Sequence, residues 1–430
     1  MRRAILGTIA QFAKFASPRR PHPAVRPERH ILVDVSVVHQ QDARTGIQRV
    51  VRGVLLQLLT MRIEGYVVRP VFATAKHGYR YVAIEITDAS GVQFGCDEGA
   101  IDVQSGDIFL GLDLAAHILP AHRLAMRRWK AAGAHIVIVV YDLLPILKPS
   151  WFNDRMVRHF RRWLAVITDH ADSVLCISAH VAQDFQHWLA SQAVPGGRAI
   201  AVHQVPLGHD LAATSPSRGM PDDGEAMLAA MAAAPAMLMV GTIEPRKGYD
   251  VSLAAFEQLW AVGRDAPYSL VIVGKPGWKT ADLQDRLRSH SQYGRRLFWF
   301  EQASDEFLDR LYQACNAVMV ASYTEGFGLP VVEAQGYGKP ALVRDVPVFR
   351  EINNRNIHYF EDDSALPLSR AIASILDLRD RNVVASDQGS FTVAWQDAVK
   401  DWLVALGVRE IDFEQPNSAG LSKQDKAVHH

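Results

Sequence analysis

Short apolar runs rich in β-branched residues alternate with helix-like stretches along most of this 430-residue chain. Such alternation is typical of βαβ units, in which helices cover both faces of a parallel sheet. It therefore predicts an α/β protein with two Rossmann-like domains. The first series predicts strands at 31–35, 67–72, 108–110, 136–141, 174–177 and 199–205, and helices at 47–59, 121–130, 152–167 and 179–188. The second predicts strands at 237–240, 270–273, 297–300, 317–320 and 341–343.

The segment 207–235 separates the two series. It is rich in Ser, Pro, Gly, Met and Ala and has no strand pattern, so it is predicted to be a linker. Because ligands of open parallel sheets bind at the carboxyl ends of the strands, two facing domains predict a central cleft. The other predicted parts are a basic arm at 1–29, an N-terminal domain at 30–206, a C-terminal domain at 236–394, a helix at 395–408 and a polar tail at 409–430.

Composition narrows the class of protein. Forty-six basic and 46 acidic residues give a formal net charge of zero, which argues against nucleic acid as the main partner. Three scattered cysteines, Cys96, Cys176 and Cys315, indicate reduced thiols in a cytoplasmic setting, and each is expected to be a small core residue. No apolar run approaches the ~20 residues needed to cross a bilayer, so an integral membrane protein is not predicted.

Two basic segments bear on contact with a membrane surface. The arm at 1–29 fits either an amphipathic helix lying on anionic lipid or a disordered segment. The predicted helix at 152–167 carries Arg155, Arg158 and Arg162 on one face and apolar residues on the other. This basic face fits either anionic lipid headgroups or a solvated surface.

The stretch 324–334 places two carboxylates, Glu325 and Glu333, around a turn between a predicted strand and a predicted helix. Gly326 and Gly328 allow the backbone to approach a ligand closely, and the N–H groups at a helix start favour phosphate. We expect Glu325 to lie in the turn and Glu333 in the first helical turn. Carboxylate oxygens accept hydrogen bonds, so the pair suits the hydroxyls of a sugar or ribose.

A second loop, at 241–248, also follows a predicted strand and precedes a helix. It contains Arg246, whose guanidinium is a planar fork of donors, and Lys247, whose ammonium is a point charge. Together the two groups suit a diphosphate. A solvated charge cluster at the helix start is the alternative for this loop taken alone.

The stretch 324–334 resembles the EGFGLP…E signature of the retaining glycosyltransferases of family 4 (group 1), which have the GT-B fold. The loop 241–248 resembles the phosphate-binding loop of that family, and 304–312 resembles its short helix before the signature. The resemblance covers 237–352 closely and the N-terminal half loosely. It implies an N-terminal acceptor domain, a C-terminal nucleotide-sugar domain, and a helix at 395–408 that returns to the first domain.

The resemblance also implies roles for the loop residues. Arg246 and Lys247 bind the diphosphate and stabilise it as leaving group, Glu333 binds the ribose hydroxyls, and Glu325 lies beside the donor sugar and β-phosphate. Lys275 fits either the nucleobase side of the pocket or a solvent-facing turn. Backbone N–H groups directed at the sugar and phosphate come from Gly326, Phe327, Gly328 and Leu329, with Phe327 expected mainly to pack.

Three positions depart from the family pattern or leave alternatives open. Gly46 is the only glycine in the loop 42–49, where many relatives have two, and Arg49 fits either a phosphate contact or the helix face. Thr242 stands where several relatives have an arginine. A histidine of the family is absent, and either Asp142 or Tyr141 takes its place beside the sugar, so Asp142 joins Glu325 among the catalytic candidates.

The resemblance implies a hexosyltransferase that needs no metal and no cofactor. The segments 45–50 and 141–145 resemble O-antigen and exopolysaccharide mannosyltransferases, which favours mannose from GDP-mannose, or rhamnose from a GDP donor. The expected acceptor is a lipid-linked oligosaccharide or a polysaccharide, at the inner face of a membrane. A UDP-sugar donor is the main alternative; a sugar-nucleotide-binding protein without turnover and a phosphorylase or epimerase of the same fold are the others.

Overall fold

The computed structural model describes residues 26–87, 91–192, 199–210, 217–262, 268–352, 355–377, 393–408 and 411–412. The predicted basic arm therefore lies outside the described residues except for 26–29. Of the predicted tail, only 411–412 is described. These two residues form a short strand.

The first domain is built on a sheet with the strand order β5-β4-β3-β1-β6-β7-β8-β9. All neighbouring strands are parallel except the pairs β3–β4 and β4–β5. The antiparallel strands β4 and β5 were not predicted, because their sequences lack the buried apolar run of the central strands. The bounds are β1 Arg29–Asp34, β2 Arg62–Ile63, β3 Tyr66–Phe72, β4 Arg80–Thr87, β5 Gly91–Ala100, β6 Ile108–Gly111, β7 His135–Val140, β8 Ser173–Cys176 and β9 Ala201–Gln204.

The helices of the first domain begin at residues that suit helix starts. Thr45 forms a capping box with Gln48 at the start of α2, while Asn153 and Ser178 cap α5 and α6. The sequence placed the cores of α2, α5 and α6 correctly. The bounds are α1 Ser36–Gln40, α2 Gly46–Thr60, α3 Arg123–Ala131, α4 Leu144–Leu147, α5 Asp154–His170 and α6 Ala179–Ser191.

The second domain is built on a parallel sheet with the order β12-β11-β10-β13-β14-β15. After β12 the chain returns to the other side of β10, so the topological switch point lies between β10 and β13. Alternate residues of β10 pack into the cores on opposite faces of the sheet. The strand bounds are β10 Ala236–Val240, β11 Ser269–Val273, β12 Leu297–Phe300, β13 Ala317–Val320, β14 Ala341–Arg344 and β15 Ile357–Phe360.

The helices of the second domain include one inside the predicted linker. The segment 207–235 contains α7, whose Met227, Leu228 and Met231 pack in the core of the second domain. Its Ala- and Met-rich sequence has no polar face, so periodicity did not reveal it. The bounds are α7 Gly224–Ala233, α8 Tyr249–Val262, α9 Ala281–Arg288, α10 Asp305–Ala314, α11 Leu329–Gly336, α12 Pro347–Arg350 and α13 Ala365–Leu376.

The last helix, α14 Trp395–Ala405, packs on the first domain, as the family resemblance implied. A Cβ at Gly53 on α2 would lie 2.8 Å from the Trp395 ring, and Trp402 Nε1 donates to the Pro206 carbonyl at 2.8 Å. Nearby, the His209 N–H donates to the Val393 carbonyl at 3.2 Å. The chain segments leaving and re-entering the first domain are therefore joined to each other.

The remaining short strand, β16 Ile411–Asp412, pairs antiparallel with β2. Cys176 and Cys315 are buried as expected, and burial raises the pKa of each thiol to about 12. The expectation was wrong for Cys96, which is exposed on the edge strand β5. Within the described residues, no helix combines the length and apolarity that a membrane span requires.

Candidate functional site

A cleft of about 1100 Å³ lies between the two domains. It is lined by loops that follow β1, β6 and β7 in the first domain and β10, β11 and β13 in the second. The loops after β10 and β13 therefore meet at the switch point of the second sheet, where the sequence predicted ligand binding.

Close backbone packing holds the loops of the second domain together. Gly248, at φ +66°, lies against the loop after β13, where a Cβ would be 2.3 Å from the Ala321 carbonyl oxygen. A Cβ at Gly274 would be 1.8 Å from the Gly241 carbonyl oxygen. Only glycine fits at these two positions, so the three loops form one rigid rim.

Glu325 is the point at which the two predicted cations converge. Its Oε2 accepts from Arg246 Nη1 at 2.7 Å, and its Oε1 accepts from Lys247 Nζ at 2.5 Å and from Ser322 Oγ at 2.6 Å. Burial raises the pKa of Glu325, but Lys247 and Arg246 outweigh burial and lower that pKa to about 2. The carboxylate is therefore ionised at neutral pH.

Arg246 keeps donors for a further anion. Its Nε donates to Glu244 Oε2 at 2.8 Å and its Nη1 to Glu325, while within the described residues Nη2 has no protein partner. Burial lowers the pKa of Arg246, but Glu325 and Glu244 more than offset this and raise it above its usual range. Lys247 uses one donor on Glu325 and also lines the cleft. The two carboxylates thus orient the cations, whose role in binding a diphosphate stays a prediction.

Tyr141 and Asp142 both line the cleft at the end of β7, but they differ in the partners of their side chains. The Tyr141 hydroxyl donates to the Leu112 carbonyl at 2.7 Å inside the first domain. Asp142 Oδ1 accepts from the Leu144 N–H at 3.0 Å. Burial raises the pKa of Asp142, and Arg246 partly opposes that rise. The Tyr141 hydroxyl is therefore already engaged within the first domain, while the role of Asp142 in place of the family's histidine stays a prediction.

The glycine turn is pressed against the first domain. A Cβ at Gly326 would lie 2.0 Å from the Tyr141 carbonyl oxygen, and Ser178 Oγ donates to the Gly326 carbonyl at 2.7 Å. Phe327 and Leu329 pack against the core of the first domain, so Phe327 packs as expected. Gly328, at φ +108°, is the N-cap of α11.

Glu333 lies deeper in α11 than predicted. The helix begins at Leu329, so Glu333 is in the second turn and its position is less favoured by the helix dipole. Its Oε1 accepts from Arg49 Nη1, and its Oε2 accepts from the Tyr312 hydroxyl at 2.5 Å. Arg49 thus takes neither role foreseen for it. It crosses the cleft and pairs with a carboxylate of the other domain.

The other predicted cleft residues are present at the rim. Lys275 Nζ donates to the Ala43 carbonyl of the first domain at 2.8 Å, so its turn is not simply solvent-facing. Gly46 is the first residue of α2 and lies close to Leu329 across the cleft. Thr242 lines the cleft beside them. No contact observed here assigns a ligand to these three residues.

The first-domain wall includes residues that the sequence analysis missed. They are His117, Asn153 and His159, joined by Trp278 from the second domain. Burial, and then neighbouring His159 and Arg155, lower the pKa of His117. These residues belong to no motif, so nothing in the local pattern indicated them. Arg155, Arg158 and Arg162 are exposed on α5, as predicted.

In the described part of the chain, no group of three or more His, Cys, Asp or Glu side chains is placed to hold a metal ion. Arg246 and Lys247 are cationic side chains that face the cleft. The cleft therefore offers fixed positive groups, ionised carboxylates and helix-start amides to an anionic ligand that bears hydroxyls.

Comparisons with known proteins agree with this geometry. Residues 231–390 match the family described as Glycosyl transferases group 1. The chain is 41% identical over 385 residues to the serotype-specific mannosyltransferase WbdA of Escherichia coli, a match that covers 89% of this chain and 46% of WbdA. The chain thus spans about half the length of this relative. It is also 27% identical over 223 residues to the O-antigen chain mannosyltransferase B of Escherichia coli, covering 50% of this chain and 54% of that protein.

A solved structure confirms the predicted fold. Sucrose-phosphate synthase from Thermosynechococcus elongatus superposes with a TM-score of 0.55 at 20% identity, over 87% of this chain and 93% of that chain. The chain has the GT-B fold, with two α/β domains that face a central cleft.

Proposed function

We propose that this chain, whose residues 231–390 match the glycosyl transferases group 1 family, transfers mannose from GDP-mannose to a growing O-antigen or exopolysaccharide chain. Sequence identity to the two Escherichia coli mannosyltransferases supports the sugar and the class of product. Transfer of rhamnose from a GDP donor is the alternative that differs least from this proposal.

The convergence of Arg246 and Lys247 on Glu325 is the observation that carries the proposal. It places two oriented cations, each with donors to spare, at the switch point where a nucleotide diphosphate binds in such sheets. These cations and the amides at the start of α11 stabilise the charge that develops on the departing diphosphate.

The proposed reaction proceeds with retention of configuration and needs no metal. The departing phosphate takes the proton of the acceptor hydroxyl on the same face of the sugar, so no dedicated general base is required. Asp142 holds a donor-sugar hydroxyl, Glu325 orients the cations beside the sugar, and Glu333 binds the ribose. Gly46, Thr242 and Lys275 complete the donor pocket.

The acceptor is proposed to be lipid-linked or polymeric and to reach the cleft from the first domain. On α5, Arg158 and Arg162 are exposed and have no ion-pair partner among the described residues. A basic face of this kind favours peripheral contact with anionic lipid at the cytoplasmic side of a membrane.

A panel of nucleotide sugars tests the donor. We expect GDP-mannose to give the largest rise in melting temperature and the fastest release of nucleotide, with activity unchanged by EDTA. Preference for a UDP-sugar would overturn the donor assignment, and binding without transfer to any acceptor glycan would identify a binding protein. NMR of the product linkage tests retention.

A further inference from the structure

Arg49 connects the two domains through charged groups. It projects from α2 of the first domain, and its Nη1 donates to Glu333 Oε1 on α11 of the second. Its Nη2 lies 3.4 Å from Asp305 Oδ1 at the start of α10. A single guanidinium therefore holds two carboxylates of the opposite domain.

The Asp305 end of this bridge is firmly fixed. Asp305 Oδ2 accepts from the N–H and the hydroxyl of Ser217, each at 2.8 Å, and from Arg44 at 3.1 Å. Burial raises the pKa of Asp305, but Ser217 and Arg49 outweigh burial and lower that pKa. Asp305 is therefore an ionised and positioned anchor for Arg49.

The Glu333 carboxylate lies at the cleft but is covered by neighbouring side chains. The Glu333 side chain is 1% exposed, and its two oxygens accept from Arg49 and from the Tyr312 hydroxyl. Tyr337 stacks on Tyr312 at a ring distance of 5.1 Å and covers that side. A carboxylate can accept further hydrogen bonds, but hydroxyl groups reach this one only after Arg49 withdraws.

We propose that Arg49 is a latch that competes with the nucleoside of the donor for Glu333, and so sets donor affinity. The latch rests on the proposed function, in which Glu333 binds the ribose. Because Arg49 belongs to the first domain and Glu333 to the second, exchange of Arg49 for ribose also releases one connection across the cleft. Donor entry and domain movement are coupled at this residue.

Competition by an internal group lowers apparent affinity by the fraction of time that the site is free. A latch closed about nine-tenths of the time weakens binding about tenfold. Such a latch acts on ligands that contain ribose. It leaves the diphosphate subsite at Arg246 and Lys247 unaffected, since those cations contact Glu325 and not Arg49.

Calorimetry with GDP, guanosine and inorganic pyrophosphate separates the two subsites. For Arg49→Gln we expect GDP and guanosine to bind about tenfold more tightly and pyrophosphate to bind as before. Arg49→Lys keeps the positive charge without the planar fork, so we expect its affinities for GDP and guanosine to lie between those of the parent and of Arg49→Gln. Because the charge is kept, this variant is also expected to fold. The matched control is Lys279→Gln, which removes the interdomain hydrogen bond to the Ser150 carbonyl and should leave all three affinities unchanged.

The outcomes separate this inference from the proposed function. Weaker GDP and pyrophosphate binding in Arg49→Gln would show that Arg49 contacts phosphate, and unchanged GDP binding would show that no competition exists; either overturns the latch. If Glu333→Gln binds guanosine as well as the parent does, the ribose assignment fails and the latch with it. If the parent chain binds neither GDP nor UDP, the proposed function fails.

Discussion

Ser178 Oγ donates a 2.7 Å hydrogen bond to the carbonyl oxygen of Gly326, which joins the start of α6 in the first domain to the glycine turn in the second. Glu325 is the residue next to this peptide. The position of Glu325 relative to the first domain is therefore fixed by a hydroxyl that the sequence analysis did not single out.

Replacing Ser178 by Ala should lower transfer about tenfold, because the Gly326 carbonyl loses its buried donor at a cost of about 1–3 kcal/mol. Ser178 also caps α6 by accepting from the Val181 N–H, so a modest fall in melting temperature is expected. Ser178→Thr keeps the hydroxyl and should restore both properties. Steady-state kinetics of the parent and of both variants test this prediction. Equal transfer rates in Ser178→Ala and the parent would contradict it.

Glu325→Gln and Lys247→Met should each reduce transfer by about a hundredfold or more, since both disturb groups aimed at developing charge. Glu325 is only 8% exposed, so its replacement should also destabilise the fold by about 3 kcal/mol, because two buried cations lose their partner. Glu98→Gln breaks the exposed pair with Arg69 and serves as the control, with about 0–1 kcal/mol expected. Kinetics and urea unfolding provide the measurements.

Gly326→Ala should abolish transfer while the two domains stay folded. Its Cβ would lie 2.0 Å from the Tyr141 carbonyl oxygen, so the turn and the first domain must move apart. Gly78→Ala meets nothing within 4 Å and should behave as the parent. Circular dichroism and transfer assays on both variants suffice, and normal activity in Gly326→Ala would disprove the close approach.

Two buried carboxyls near the carboxyl ends of β1 and β6, Asp34 and Asp113, should each contribute more to stability as pH falls from about 8 to 5. Burial raises the pKa of Asp113 to about 7 and that of Asp34 to about 6. Since each folded-state pKa exceeds its unfolded value, the stabilising contribution is complete below the unfolded pKa and is lost as pH rises through the folded pKa. Asp113→Asn should remove part of this slope, on the order of 1–3 kcal/mol.

Urea unfolding of the parent and of Asp113→Asn at several pH values checks this prediction. The asparagine oxygen can still accept from the Val37 and Val38 N–H groups, which Asp113 Oδ2 accepts at 2.8 and 2.7 Å. An identical pH slope in parent and variant would mean that Asp113 does not titrate in this range.

Local pattern was enough to predict the central strands and the two loops at the second switch point. Apolar runs mark β10 and β13, and glycines with charged residues mark the loops that follow, so Arg246, Lys247 and Glu325 could be placed on one rim. Each of these inferences needs only neighbouring residues. The parallel topology of the sheet then brings the two loops together at the carboxyl ends of its strands.

Contacts between distant parts of the chain could not be predicted in this way. Arg49 and Glu333 are 284 positions apart, and nothing near either residue indicates the other. The pairing depends on how the domains face each other, and packing of Phe327 and Leu329 on the first domain contributes to that arrangement. Helix α7 was missed because its sequence has no polar face, whereas β4 carries Val82, Ile84 and Ile86 at alternate positions, a strand pattern that the sequence analysis did not use.

The hydrogen bond between His209 and Val393 has a mechanical consequence. The outgoing and returning segments lie side by side, and Trp395 packs against Gly53 of the first domain and Gly208 of the outgoing segment. We expect relative movement of the two domains to be a rotation about this double attachment. Groups far from it, such as those on either lip of the cleft, travel furthest for a given angle.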